Sequence, residues 1–426
     1  MVATYNQAAA PGQNTFALQA ALGAYSDEAY TNAKKLSGTG IVGPNPNINV
    51  DTETFIGQVR WFKPINPTIN VASLTSATAG TGTNYTSDYS TYVKTVRTHG
   101  ASQVNLATLV TQQDGLAKIS RDFGETRAQD EHNAILSVLK GVATSEALNG
   151  SCSGSGSTGL GGQTFTNDPT DQKYGFYVDL AGLAPVIAAT AAIQGAARAE
   201  GFLNAMGMAW KDYEPEYAYL VCSPETLASL RSANMVDDTG VVEQNVNFST
   251  ILGGKFRLVQ TRAAQSFSSA QLAKLNTGAG VHINAGSLKT SFIVLPGAIA
   301  MEPLNVPTPV EIYRDARAYN GGGSTDIWYR WGYVAHPGGY DWVGVSTAFP
   351  SDANFGDVVD SSASGYGTIN GVVQTSNVGA GIPQSLAGYA TSTSNGVGNI
   401  AATVKGVWSR KASSALSLGI LPVFHA

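Results

Sequence analysis

The spacing of apolar residues changes character several times along the chain. From Met1 to about Val50 the chain is polar and broken by Pro11, Gly12, Gly38, Gly40, Gly43, Pro44 and Pro46, with one short helical pattern, Phe16 to Tyr30. A segment so poor in apolar side chains cannot bury a core of its own, so it is expected to lie as an arm on something else. From Phe55 to Leu74 β-formers dominate: Phe55, Ile56, Val59, Trp61, Phe62, Ile65, Ile69 and Val71. A turn-rich polar run, Thr75 to Ser90, separates them from Tyr92, Val93 and Val96. Two strand candidates around a long polar tip predict a projecting β-hairpin.

Between Gln112 and Val142 the period becomes helical, through Leu116, Ile119 and Phe123 and then Ile135, Val138, Leu139 and Val142. Asp114 suits an N-cap and Gly141 a stop, so the spacing predicts a helix over 114–141, ~42 Å long at ~1.5 Å per residue. Arg121 with Glu125, and Arg127 with Glu131, stand four apart as expected surface pairs. The middle of this helix, Gly124 to Asn133, is polar on nearly every face and is expected to be exposed along one flank or to meet neighbours there.

Beyond a Ser/Gly/Thr loop at Gly150 to Thr170, Leu180 to Met208 reads as an Ala-rich helix. A strand at Tyr217–Cys222, a capped helix from Ser223 through Arg231, and strands at Phe256–Gln260 and Ser291–Leu295 follow. Together they predict an α+β or α/β module of about 120 residues, an ordinary domain size. Val310–Tyr313 and Ile327–Ala335 are β-like and aromatic, Ser346–Asn399 is rich in Gly, Ser, Thr and Asn, and Val404–Phe424 regains a β pattern. No internal repeat is evident.

Composition sharpens this picture through charge. Asp, Glu, Lys and Arg make up 13% of the 426 residues, against about 25% in typical soluble domains. Interface cores are depleted in charge, so burial against copies of itself explains the deficit. A secreted or extracellular β-rich protein with a Ser/Thr/Gly surface is the alternative. A net charge of −5 with no Lys/Arg-rich run argues against a protein whose main task is gripping nucleic acid. Cys152 and Cys222 cannot make a disulfide framework, which fits a reducing compartment. Met1 to Asn14 carries neither a basic start nor an apolar core, so no signal peptide is expected. Leu180 to Ala197, interrupted by Gly182, Pro185 and Gly195, suits a packed helix better than a membrane span.

No catalytic or ligand constellation emerges from the residues. GxGxxG occurs at Gly38–Gly43 and Gly154–Gly159, but neither copy follows an apolar strand and opens a helix, as dinucleotide binding requires. His99, His132, His282, His336 and His425 are scattered without metal-ligand spacing. Asp122, Glu125, Asp130 and Glu131 share the long helix with Lys118, Arg121 and Arg127, which suits a charge-paired solvated face. Asp237 and Asp238 are expected in a turn with Thr239 and Gly240, and Cys222 is expected to be a buried cysteine. Trp328, Tyr329, Trp331, Tyr333, Tyr340 and Trp342 admit a sugar platform, but their alternation favours a core or subunit contact.

Several stretches, in this order, carry a resemblance: Ala134-Ile-Leu-Ser-Val-Leu-Lys-Gly-Val142 closing the long helix, then Tyr219-Leu-Val-Cys-Ser-Pro-Glu-Thr-Leu-Ala-Ser-Leu-Arg231. Ile251-Leu-Gly-Gly-Lys-Phe-Arg-Leu-Val259, Leu295-Pro-Gly-Ala-Ile299, and Arg314-Asp315 leading through Trp331 to His336-Pro-Gly-Gly-Tyr-Asp-Trp342 complete it. The chain resembles the major capsid proteins of tailed bacteriophages with the HK97-like fold, over about Phe55 to Trp342. The polar stretch Ser346–Asn399 departs from the family pattern, and no maturation-protease site or crosslinking Lys/Asn pair matches residue by residue.

The resemblance implies an α+β fold with an N-terminal arm (1–54), an extended hairpin or E-loop (55–98), and a P-domain (99–178 and 301–345) built on the spine helix. An A-domain (179–300), a polar insertion (346–400) and a closing strand (401–426) complete the expected organisation. It implies a non-enzymatic subunit, without cofactor or metal, that assembles in the host cytoplasm into hexamers and pentamers of an icosahedral virion shell. That shell encloses double-stranded DNA without sequence-specific or membrane contacts, and its expected partners are other copies and scaffolding, portal and decoration proteins. Phe55, Arg60, Trp61, Phe62 and Lys63 are the expected intersubunit contacts. An encapsulin-like nanocompartment is the alternative within the fold, and an extracellular adhesin or surface-layer protein the alternative outside it.

Overall fold

The computed structural model describes residues 13–34, 36–52, 54, 56–62, 87–104, 115–149, 177–179, 199–210, 215–233, 235–243, 246–261, 289–342, 368–369, 372–373, 408–410 and 418–425. An N-terminal helix, Gln13–Ala33, leads through a short 3-10 turn, Leu36–Gly38, to strand β1, Val42–Gly43. β2 (Ile56–Phe62) and β3 (Ser87–Val104) precede the long helix, Gly115–Asn149. Then come β4 (Val178–Asp179), a helix at Ala199–Trp210, β5 (Ala218–Cys222) and a helix at Pro224–Ser232. β6 (Val236–Glu243), β7 (Val246–Ile251), β8 (Phe256–Gln260), β9 (Lys289–Val294), β10 (Ile299–Pro303) and β11 (Val310–Asp315) follow. β12 (Ser324–Pro337), β13 (Tyr340–Trp342), β14 (Thr368–Ile369), β15 (Val372–Val373), β16 (Trp408–Arg410) and β17 (Ile420–His425) close the sequence of elements. The class is α+β, with helices packed on two mainly antiparallel sheets.

The larger sheet runs β4-β17-β9-β5-β8-β7-β6, with β5 parallel to β8 and antiparallel to β9. β5 is buried at every position, which explains why Tyr219-Leu-Val-Cys reads as an unbroken apolar run instead of an alternation. After it the chain turns directly into a helix. Ser223 takes an extended backbone and its hydroxyl accepts from the Thr226 amide at 3.2 Å, Pro224 occupies the first turn, Glu225 faces the amino end and Arg231 the carboxyl end. Leu227 and Leu230 drop from this helix into the main core, which also receives Phe202, Trp210, Phe256, Phe292 and the apolar face of the long helix from Ala134 to Ala143.

The long helix does not stop at Gly141 as its sequence suggests; it continues to Asn149. Val142 and Ala143 are fully buried in the main core. Their burial outweighs the ~1 kcal/mol cost of an internal glycine. Its polar middle is exposed along one flank, at Glu125, Thr126 and Gln129, as expected, and is covered on another. The N-terminal helix lies along it, so close at Gly124 that a Cβ there would stand 2.2 Å from the Ser26 carbonyl oxygen. Leu22 packs with Phe123, Ile327 and Tyr329, whose hydroxyl donates to the Leu22 carbonyl at 3.1 Å. The arm-like segment therefore covers its own chain.

The second sheet is organised by β12. Residues 324–334 pair with β3 on one edge, while β11 and then β10 pair along the other, and β2 pairs with residues 87–93 of β3. Asp237 and Asp238 are a further correction: they lie in β6, not in a turn, because pairing with β7 resumes after an irregularity between Asp237 and Val241 that absorbs the extra residues. The expected helix at 180–198, the hairpin tip at 63–86 and the loop with Cys152 and the second glycine motif lie outside the described residues.

Candidate functional site

The strands β3, β12 and β11 present two different faces. On the inner face Ile327 and Tyr329 meet the long helix, and Ser120 and Tyr329 share a hydrogen bond at 2.9 Å. Arg97 donates to Asp130 at 3.3 Å and the Trp331 indole donates to the same carboxylate at 2.9 Å. On the outer face a shallow groove of about 700 Å³ is lined by residues including Val96, Thr98, Tyr313, Trp328 and Arg330. Trp328 is paired with Gly100, where a Cβ would stand 2.8 Å from two atoms and 3.0 Å from a third atom of the indole. The ring therefore lies flat on the glycine, with its other side open and 44% of the residue exposed. Arg330 and Glu311 close one end of the groove with an ion pair at 2.6 Å.

Most of the aromatic run is core. Tyr329, Tyr333, Tyr340 and Trp342 are buried, Trp331 is half-buried, and Trp328 alone of the six is exposed. That arrangement provides a contact surface of one indole and Tyr313, not a row of stacking rings.

The hairpin strands divide in the same way. Val59 is buried with Ile48, Tyr92, Leu304 and Val334 in a second cluster of this chain. Val59, which an isolated two-stranded hairpin could not shelter, is covered within its own chain, among others by Tyr92 and Val334 from β3 and β12. On the opposite face Arg60 is exposed and pairs in register with Tyr89, 46% exposed, and Ile56 is 42% exposed. Trp61 and Phe62 continue the ladder opposite Asp88 and Ser87. Phe55 and Lys63 lie outside the described residues.

The remaining chemistry candidates are placed by packing. Among the described residues no group of three or more His, Cys, Asp or Glu could hold a metal ion. His425 is buried against Ser291 at 2.9 Å, His99 packs edge-on to Phe123, and His336 sits between Tyr92 and Trp408. His282 lies outside the described residues. The first glycine motif runs through the 3-10 turn into β1, where Gly43 packs on the Gly297 backbone. Arg127 and Glu131 form the expected i,i+4 pair at 3.3 Å, but Glu131 is buried, so the pair is not a surface one. No described helix is long and apolar enough to cross a membrane.

Cys222 is fully buried, and desolvation pushes its thiol up to about 12. In a Cys152→Ser variant, Cys222 is expected to resist a thiol-exchange reagent in native buffer and to react only in denaturant, because the thiolate is the attacking species. Prompt reaction in native buffer would contradict this burial.

No family model matches the chain, and no curated protein matches it. Solved structures align with it at low identity. The capsid of Ralstonia phage GP4 shares 13% identity, covering 70% of this chain and 82% of that one, at a TM-score of 0.41. The head structure of Helicobacter pylori bacteriophage KHP40 shares 8%, covering 74% and 87%, also at 0.41. The capsid structure of cyanophage P-SCSP1u shares 13%, covering 70% and 86%, at 0.38.

Proposed function

We propose that the chain is a structural shell subunit of a tailed-phage head, self-assembling into hexamers and pentamers around double-stranded DNA. The observation that carries this reading is where its exposed apolar groups stand. Among the described residues seven large apolar side chains are exposed, and Ile56, Tyr89, Tyr313, Tyr319 and Trp328 belong to the second sheet or the turn between its strands β11 and β12. By register Tyr313 and Trp328 lie on one face of this sheet and Ile56 and Tyr89 on the other, so in a chain with only 13% charged residues both faces of one sheet offer apolar groups to neighbouring subunits.

In such a subunit the N-terminal arm, hairpin, spine helix and A-domain keep the partition expected from the sequence. Phe55, Arg60, Trp61, Phe62 and Lys63 form an intersubunit clamp. With a net charge of −5 the wall does not grip DNA, so packaged duplex slides against it. Scaffolding, portal and decoration proteins are its expected partners, and its role is structural, not catalytic.

Sedimentation and electron microscopy of the purified full-length chain test this directly. Rings or closed shells are expected in physiological buffer. A stable monomer at high concentration, or flat two-dimensional sheets of the kind a surface-layer protein makes, would overturn the reading.

A further inference from the structure

The N-terminal helix is held on the long helix by a buried carboxylate. Glu131 is 3% exposed and accepts a hydrogen bond from the Tyr30 hydroxyl at 2.5 Å. Arg127 donates to the other Glu131 oxygen at 3.3 Å, stacks over the Tyr30 ring at 4.1 Å and stands 3.8 Å from Asp27. Lys34 lies over the same ring at 4.4 Å. Gly124, one helical turn before Arg127, leaves room for the Ser26 backbone to approach.

We propose that this Tyr30–Glu131–Arg127 contact is a proton-dependent latch, which seats the N-terminal helix more tightly when the Glu131 carboxyl is protonated and loosens it when that proton is lost. The physical reason is competition between burial and pairing. Desolvation raises the Glu131 carboxyl above its ordinary value, and the Tyr30 hydrogen bond, Arg127 and Lys34 only partly oppose it. When the helix lifts away, Tyr30 and Lys34 leave and the carboxyl returns to water and to its usual acidity.

The docked state therefore binds a proton that the undocked state gives up, so docking strengthens as pH falls through the raised value and levels off above it. Tyr30 is also raised, by burial and then by Glu131, so its hydroxyl keeps the donor proton throughout this range. Of the other charged or titratable groups near the site, Asp27 pairs with Arg127, Arg97 and the Trp331 indole hold Asp130, and the buried His132 is the next residue along the long helix.

Hydrogen exchange on the full-length chain reads this latch as protection factors, each referred to the intrinsic exchange rate at its own pH. In the parent, amides between Leu22 and Ala33 are expected to lose protection by up to about tenfold per pH unit as Glu131 ionises. The Glu131→Gln variant keeps an acceptor for Tyr30 but cannot ionise, so its protection should be high and flat. Gly124→Ala places a Cβ against Ser26 and should abolish protection of the same amides at every pH, while the helix at Pro224–Ser232 stays protected. Flat protection in the parent, an unchanged slope in Glu131→Gln, or full protection in Gly124→Ala would each overturn the proposal.

Discussion

A variant lacking residues 75–86 is expected to melt as a cooperative subunit and to build no shells. The cut ends before Ser87 because that residue opens β3 and pairs with Phe62. The base of the hairpin is anchored in its own chain and should survive the deletion. Tyr92 and Val59 are buried with Leu304 and Val334, the Asn49 amide donates to the Tyr92 hydroxyl at 2.8 Å, and the buried Lys94 ammonium donates to the Asp51 carbonyl. A segment that contributes nothing to the subunit's own core should, when removed, shift the melting midpoint by no more than about 2 °C.

Assembly is where the large effect should fall. Ile56, Arg60 and Tyr89 share an exposed face of the hairpin, and since an isolated two-stranded ribbon is marginal in water, the clamp reading has another subunit shelter it. On that reading, burial of an aromatic side chain such as Trp61 across the contact would contribute a few kcal/mol, about as much as an interface anchor typically does. Arg60 and Lys63 would add mainly orientation. Differential scanning calorimetry and sedimentation beside the parent separate the outcomes. Normal shells from the variant would refute the clamp, and loss of the cooperative melt would assign the tip to the subunit's own core.

The second large effect is on acid stability. His336 is buried between the Tyr92 and Trp408 rings, at centroid distances of 6.3 and 5.7 Å, and its Nδ1 finds no hydrogen-bond partner among the described residues. Burial lowers it from 6.5 to about 4. Between those two pH values the unfolded chain binds a proton that the folded chain does not, so stability falls as pH drops through 6.5 and levels off near 4. The full loss is about 3 kcal/mol for this one group, since a pKa unit corresponds to about 1.4 kcal/mol. Glu131 works in the opposite direction, because its raised carboxyl gains a proton on folding as pH falls.

Denaturant midpoints across this range should therefore drop with acid in the parent, drop more steeply in Glu131→Gln, and flatten in His336→Phe. Phenylalanine keeps an aromatic ring between Tyr92 and Trp408 but has nothing to protonate. An identical acid slope in the parent and His336→Phe would show that the imidazole does not carry the effect.

Much of this architecture is written in short-range pattern. The β-formers from Ile56 and from Tyr92 do pair as a hairpin, the apolar period from Leu116 makes a helix, and Ser223-Pro-Glu caps the helix that follows β5. The alternation around Trp328 and Tyr329 correctly separates an outer from an inner face. The formation of each of these elements, and the face each keeps apolar, depends on neighbours within a turn or two of the same element, and backbone geometry repeats at that range.

Other features depend on elements that meet only after folding. Gly141 has the form of a helix stop, yet the core that receives Val142 and Ala143 includes residues from distant strands such as Phe292 and Phe424. Val59 is sheltered in part by Leu304 and Val334, which lie far along the chain and which its own hairpin pattern does not reveal. Asp130 and Glu131 read as a solvated charged face because nothing in their own helix shows that Trp331 lies 201 residues away and Tyr30 101 residues away in sequence. Local spacing sets where a helix or strand forms and which side is apolar. Which surface covers that side, and so which charges lose their water, is set by close packing between remote segments, and no periodicity encodes it.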